Sequence, residues 1–430
     1  MTDLSSSWQE ELQKCVKCGA CMAVCPIYRQ TGREEMVARG KLDLIGRIAA
    51  AEKEAPLPPG WIEAVDHCLL CCSCEENCSK NVEITAIIAR ARQELTARKG
   101  LHPLKKGVFA LLRSRWRTLE RLLKAGALLQ WLWARRLPRQ SGLVRRLPLP
   151  GIDEQTVLPP LPRRNLDDRL KGRQPAENGR PKVLYFPGCA TRYLFPEMGL
   201  DLLYVLERLG FFGCVPPELA CCGLVTWGAG DEESRHRLQD RNLEIFARHR
   251  HETATIVTGC ASCGHALKEY TGLPAGMEIL DISEFLYRQK EKLEALIGAG
   301  RPDDGSKLTY HDPCHLRKGQ QITAEPRWLL RLIAGENFIE MRHPERCCGA
   351  GGTFGISHKK LSRRILAEKS AAIEATGAEF VTSGCPGCLL QLTEGAVVGG
   401  FAWQARHPVS LLAQRLRSSI GAERTKGYSR

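Results

Sequence analysis

Residues 255–263 read TIVTGCASC, and residues 380–388 read FVTSGCPGC. The second stretch repeats the first 125 residues later, with Cys260 matched by Cys385 and Cys263 by Cys388. Each opens on a short apolar, β-branched run and closes on a Cys-x-x-Cys pair. Each therefore reads as a strand that delivers two thiols into a loop. The offset holds elsewhere along the chain. Cys189 is matched by Cys314 at 125 residues, and the doublet Cys221–Cys222 by Cys347–Cys348 at 126. A β-prone run precedes each first cysteine (KVLYF from Lys182, KLTY from Lys307), and a helical run follows (LDLLYVLERLG to Gly210, PRWLLRLIAG to Gly335). A fixed period of this size is an internal duplication. Alternating strands and helices make each copy α/β, and the copies are expected at 181–300 and 301–430.

Cysteine is the outlier of the composition, with 20 in 430 residues. The chain is too long for one hydrophobic core, so two or three domains are expected. Hydrophobic residues at 43% and charged residues at 26% exclude a disordered or fibrous chain. No stretch approaches 18 uncharged apolar residues; the nearest, Ala125 to Ala134, is too short for a transmembrane helix. The opening MTDLSSSWQEELQK lacks the pattern of a signal peptide, so the chain is expected to stay in the cytoplasm. In a large chain of that kind, clustered thiols point to metal rather than to disulfides.

Two further cysteine sets precede the duplication. Cys15, Cys18, Cys21 and Cys25 are followed by Pro26, and Cys68, Cys71, Cys74 and Cys78 repeat the spacing. C-x2-C-x2-C-x3-C-P is the spacing of a cubane [4Fe–4S] site, whose fourth cysteine ligates the other cluster in two-cluster modules. The expected sets are therefore Cys15, Cys18, Cys21 and Cys78 for one cluster, and Cys68, Cys71, Cys74 and Cys25 for the second. Zinc is the alternative, but it needs only four ligands. Set two departs from the pattern, because Ser79 stands where proline would and Cys72 adds a thiol. Cys72 and Cys214 read as buried spare sulfurs. Ile84, Ile87, Ile88, Ala91 and Leu95 share one helical face, stopped by Gly100 and Pro103, and β-branched alternation is absent. Residues 1–100 are expected to form a small helical two-cluster module.

Each copy of the duplicated motif offers five thiols: Cys189, Cys221, Cys222, Cys260 and Cys263, then Cys314, Cys347, Cys348, Cys385 and Cys388. A cubane takes four, so the fifth is either idle or ligates a more open cluster. Structural zinc at one such site is the alternative, with one thiol left over. Gly223 and Gly349 follow the doublets and can supply the positive φ needed to turn adjacent thiols toward one point. His311, Asp312, His315 and His265 flank these cysteines and are expected to hold the loops by local hydrogen bonds. No catalytic residue is identified.

Residues 101–180 form a connector with 18 Lys or Arg and 6 Asp or Glu, while the whole chain is only +14. The charge is thus local. An amphipathic run carries Leu111, Leu112, Trp116, Leu119, Leu122 and Leu123 among arginines, followed by a Pro/Arg-rich part. Three readings stand for it: a linker packed on its own domains, a dock for an acidic partner, or a helix on anionic lipid through Trp116, Trp131 and Trp133. No nucleic-acid module is present. Neither a G-x-G-x-x-G nor a P-loop occurs, and nothing resembles a flavin or nicotinamide site.

CVKCGACMAVCP, DHCLLCCSCEENC, FPGCATRY with ACCG and GCASC, then YHDPCHLR with RCCGAGGTFG and GCPGC, together resemble the iron–sulfur subunits of glycolate oxidase. That family shares its cysteine-rich CCG domain with subunits of lactate-utilisation complexes, anaerobic glycerol-3-phosphate dehydrogenase and heterodisulfide reductase. The resemblance implies a helical ferredoxin like that of fumarate reductases, followed by two CCG domains. It also implies two cubane clusters and one or two further CCG-bound [4Fe–4S] clusters, non-cubane in the heterodisulfide reductase branch. The implied partner is an FAD-dependent 2-hydroxyacid dehydrogenase subunit that oxidises glycolate or lactate. Electrons would pass through this chain to a quinone or another carrier, with peripheral contact at the inner face of the cell membrane. The chain would be inactive alone. The alternative is a heterodisulfide reductase-type catalytic subunit.

Overall fold

The computed structural model describes residues 4–49, 57–114, 116–136, 143–145, 157, 159–171, 179–298 and 305–426. They fall into two compact units. Unit 1 comprises Met1–Ala110, Gly223–His236 and Arg346–Lys369; unit 2 comprises Leu111–Cys222, Arg237–Glu345 and Ser370–Arg430.

Unit 1 contains no strand among its described residues. Its longest helix, Ile84–Lys99, buries Ile84, Ile87, Ile88 and Ala91, the face that the apolar spacing predicts. It stops at Gly100, whose φ is +73°. Those side chains pack with Leu42, Ile45, Trp61, Val65 and Val82 into one core. Cys15, Cys21, Cys68, Cys74 and Cys78 pack against its edge. Each fully buried side chain of this kind contributes about 1.5–3 kcal/mol relative to exposure. The cysteine loops are therefore anchored on a helical scaffold rather than on a sheet.

Unit 2 carries the sheets. A short antiparallel pair, β1 (Ala134–Arg136) and β2 (Leu143–Arg145), belongs to the connector. The first repeat supplies β3 (Lys182–Tyr185), β4 (Phe212–Cys214), β5 (Thr255–Thr258) and β6 (Glu278–Asp281), all parallel, in the order β4-β3-β5-β6. The second supplies β7 (Leu308–Tyr310), β8 (Phe380–Thr382) and β9 (Gln404–Arg406), also parallel, in the order β7-β8-β9. The counterpart of β4 has shrunk to a single bridge between Leu308 and Phe338. β3, β5, β7 and β8 are buried almost throughout, as parallel strands covered on both faces must be. One core runs through both repeats, from Val183, Val257 and Leu280 to Leu308, Leu330 and Leu412. The α/β character of the duplication and the helical character of the first module both follow the sequence.

Candidate metal centres

In unit 1 the chain brings eight cysteines to two pockets. Cys15, Cys18, Cys21 and Cys78 line one pocket. Cys25, Cys68, Cys71 and Cys74 line the other. The last cysteine of each run is thus carried away from its own three and placed with the other three. Cys74 lines both pockets, so they adjoin. Pro26 opens the helix Pro26–Thr31 directly after Cys25, and the Tyr28 backbone N–H donates to Cys25 Sγ at 3.5 Å. Cys18 is exposed and Cys71 is buried, while the other six cysteines are half-buried.

The loops are fastened by polar side chains that spacing alone does not reveal. Asn77 Nδ2 donates to the Ala20 carbonyl at 2.7 Å, which ties the second cysteine run to the first. Arg92 donates from one nitrogen to the carbonyls of Val65, Asp66 and Cys68 at 3.1, 3.0 and 2.6 Å. Glu75 accepts from the backbone N–H and the hydroxyl of Thr85 at 2.6 and 2.8 Å. Buried Lys41 reaches the carbonyls of Ala64 and His67.

Burial pushes the Cys25 thiol up to about 11, and it raises Cys74 strongly. Bare thiolates are thus costly here, and a bound cation that takes the place of the proton is what such sulfurs fit. Cys72 is buried, adopts a positive φ of +57°, and is not among the residues lining either pocket.

Two segments that follow or contain the cysteine doublets fold with this unit. Gly230 abuts the Arg92 backbone, and Arg92 Nη1 donates to the Gly228 carbonyl at 2.6 Å. Gly351 packs on Leu69 so closely that an added Cβ would lie 2.4 Å from Leu69 Cδ2. The loop bearing Cys347 and Cys348 therefore rests on the loop bearing Cys68 and Cys71. Within it Gly349 has φ +90°, and its N–H donates to Cys347 Sγ at 3.4 Å.

In unit 2 the five thiols of the first repeat fall into two neighbouring groups. Cys189 is the second residue of the helix Gly188–Tyr193, and its Sγ lies 3.8 Å from Cys221 Sγ. Cys222 lies within hydrogen-bond reach of Cys263, which in turn reaches Cys260. An added Cβ at Gly188, whose φ is +69°, would meet Cys263 Sγ at 2.6 Å. The doublet is held from behind by two buried side chains. Asn242 accepts from the Ala220 N–H at 2.9 Å and donates to the Cys221 carbonyl at 3.1 Å. Tyr270 donates its hydroxyl to the Cys222 carbonyl at 3.0 Å. The contacts join Cys189 to Cys221, and Cys222 to Cys263 and Cys260, with the two groups linked through the adjacent doublet. Cys314, Cys385 and Cys388 of the second repeat belong to unit 2, and Cys347 and Cys348 to unit 1.

The two repeats meet at their Cys-x-x-Cys loops. Cys260 and Cys385, matched positions of the duplication, lie within hydrogen-bond reach of each other. The Ala261 N–H donates to the Gly384 carbonyl at 2.9 Å. Ser262 Oγ lies 3.4 Å from Cys385 Sγ and 3.0 Å from His315 Nδ1. The His265 and His315 rings stack with centroids 4.9 Å apart. Burial, helped by the neighbouring His315, lowers His265 to about 4, so it is neutral at pH 7. Asp312 is gripped by both guanidinium nitrogens of Arg327 at 2.9 Å each and by Arg317 at 3.3 Å. Asp312 and His315 thus hold loops through their side chains, while His265 bonds the Gly319 backbone as expected.

Known proteins carry the same pattern. Residues 11–82 match the 4Fe-4S dicluster domain family, and residues 183–268 and 308–393 each match the cysteine-rich CCG domain family. The chain is 28% identical to the probable glycolate oxidase iron–sulfur subunit of Bacillus subtilis, over 94% of each chain. It is also 28% identical to the glycolate oxidase iron–sulfur subunit of Escherichia coli, again over 94% of each. The chain resembles the glycolate oxidase iron–sulfur subunits. A subunit of the CoM/CoB fumarate reductase of Methanothermobacter marburgensis is 26% identical over 90% of this chain and 68% of that one. These matches indicate iron–sulfur clusters and an oxidoreductase complex. Among the described residues, no helix is long and apolar enough to cross a membrane.

Proposed function

We propose that this chain is the iron–sulfur electron-transfer subunit of a 2-hydroxyacid dehydrogenase complex acting on glycolate or lactate. Cys15, Cys18, Cys21 and Cys78 hold one cubane [4Fe–4S] cluster; Cys68, Cys71, Cys74 and Cys25 hold a second. Cys189, Cys221, Cys222, Cys260 and Cys263 hold a further cluster, and Cys314, Cys347, Cys348, Cys385 and Cys388 another. When bound, such clusters carry one electron at a time. A partner FAD-dependent subunit supplies the electrons, and a quinone or another carrier accepts them. The connector gives the complex a peripheral contact with the membrane.

The observation that carries this reading is the closeness of neighbouring sulfur sites within each unit. The two unit 1 pockets share Cys74, and the Cys347–Cys348 loop rests on Leu69 beside the second of them. In unit 2, Cys260 and Cys385 adjoin across the repeats. The chain's own residues hold these loops together, and exposed Cys18 is where a docking partner would meet a site. A second reading, a catalytic subunit that cleaves a disulfide, draws on the complete five-cysteine set of the first repeat and its sulfur contacts. Anaerobic purification with the neighbouring flavoprotein is expected to give a brown complex that reduces a dye when glycolate or lactate is added. Heterodisulfide reduction by the isolated chain would overturn the electron-transfer reading in favour of the second. A colourless, zinc-loaded protein that supports full activity would overturn both.

A further inference from the structure

The connector helix Trp116–Trp133 shows two unlike faces. Its inner face is fastened to unit 2. Gln130 and Leu161 exchange two hydrogen bonds at 3.0 Å each, Ala127 is buried, and Gly126 lies against the Leu161 side chain. Lys124 binds Glu120 and Asp168 at 2.7 and 2.6 Å, which neutralises the one acidic residue of the helix. The outer face is apolar. Leu122, Leu128, Leu129 and Leu132 are 55, 59, 52 and 50% exposed. At 3.6 residues per turn these positions share one side of the helix. Arg117 and Arg121, both exposed, stand on the same side one to two turns earlier, and no acidic residue joins them.

We propose that this face lies in the headgroup region of a membrane rich in anionic lipid, leucines toward the acyl chains and Arg117 and Arg121 on phosphates. The inference deepens the peripheral contact proposed above by assigning its surface and its lipid class. Two features favour lipid over a protein. Protein–protein contacts are anchored by aromatic residues and Arg with leucine under-represented, whereas the apolar part of this face is formed by Leu122, Leu128, Leu129 and Leu132. A leucine stripe with cationic residues and no acidic ones is what an interfacial helix requires. The arrangement also gives the contact a purpose. Leu112 and Trp116 line the cavity that holds Cys189 and Cys221, with Arg241 over the Trp116 ring at 5.9 Å. The helix that rests on lipid thereby borders a proposed cluster site, where a lipid-dissolved acceptor could be met.

The test is flotation of the full-length, iron-loaded chain with phosphatidylcholine vesicles prepared with and without phosphatidylglycerol. The chain is expected to float with the anionic vesicles and to be released by high salt. Leu129→Asp with Leu122→Asp is expected to weaken partition by at least roughly tenfold, and Arg117→Gln with Arg121→Gln by about tenfold, with iron content unchanged. Both pairs are solvent-exposed, so folding is retained and is checked by the visible spectrum. An intact chain that stays with the unfloated fraction overturns the inference, as do variants that float like the parent. Loss of the flavoprotein from the leucine variant, with flotation unchanged, would reassign the face to a protein. Dye reduction by the complex in free solution does not depend on lipid, so its failure would strike the electron-transfer reading and not this one.

Discussion

Ser262 of the first repeat places its Oγ 3.4 Å from Sγ of Cys385 in the second, and 3.0 Å from His315 Nδ1. An iron-bound thiolate accepts hydrogen bonds only, so the single hydroxyl proton of Ser262 belongs on the sulfur, and His315 donates to Ser262 from Nδ1. A hydrogen bond to a cluster thiolate favours the more negative, reduced state and raises the potential. Ser262→Ala is therefore expected to lower the potential of the centre proposed at Cys385, on the order of 50 mV. Redox titration followed by electron paramagnetic resonance reads this directly. An unchanged potential with all iron retained would mean that the hydroxyl points elsewhere.

The exchanged fourth cysteines make a separable prediction. Cys78 lines the pocket of Cys15, Cys18 and Cys21 rather than that of its own run. Cys78→Ser should therefore disturb the centre of the first three cysteines and leave the other intact, while Cys25→Ser should do the reverse. Each should cost about one cluster's worth of iron. Mössbauer spectra of the two variants would show which signal disappears. If Cys78→Ser removed the signal lost with Cys68→Ser, the pairing would be wrong.

Behind the first doublet, Asn242 is fully buried and bonded to the Ala220 N–H, the Cys221 carbonyl and the Tyr270 hydroxyl. Asn242→Ala strands buried partners on both sides and is expected to cost about 2–4 kcal/mol in stability and to empty the first-repeat site. Tyr270→Phe removes only the hydroxyl bonds and should cost about 1 kcal/mol with the site still loaded. Chemical denaturation and iron analysis of the pair test the ranking; equal losses would show that the loop is not held through the asparagine.

How much of this the sequence discloses depends on range. Cysteine spacing is local, and a loop that wraps a cluster writes its geometry into intervals of two and three residues, so the sets of thiols that share a pocket are readable. The duplication is readable because matched strands such as Thr255–Thr258 and Phe380–Thr382 must keep the same register to the same thiols. The supports are not. Arg92 and Asn77 act on carbonyls more than twenty residues away, and Gly351 meets Leu69 from a distant part of the chain. Such contacts have no period. Ser262 stands inside a motif, yet its partner lies in the other repeat, so the residue alone reads as a small filler. The connector's amphipathic spacing is equally silent on which face is packed; the Gln130–Leu161 bonds decide it.

The seam between the repeats also carries a pH dependence. His407 is 3% exposed; its Nδ1 accepts from the Val409 N–H at 3.1 Å, and its Nε2 donates to the Gly259 carbonyl at 3.0 Å. Both ring nitrogens are thus used by the neutral imidazole, and burial lowers its pKa to about 4. The unfolded chain, with a histidine pKa of ~6.5, binds more protons than the folded one between those values, so stability rises with pH across that window. The contribution is complete above the unfolded value and fades as the pH falls toward 4. From pH 7 to pH 5 it amounts to about 2 kcal/mol. His407→Asn should be less stable than the parent at pH 7 but should lose less on acidification. Denaturation midpoints at the two pH values give the comparison. A variant whose midpoint falls between pH 7 and pH 5 as steeply as the parent's would place the acid sensitivity in another group.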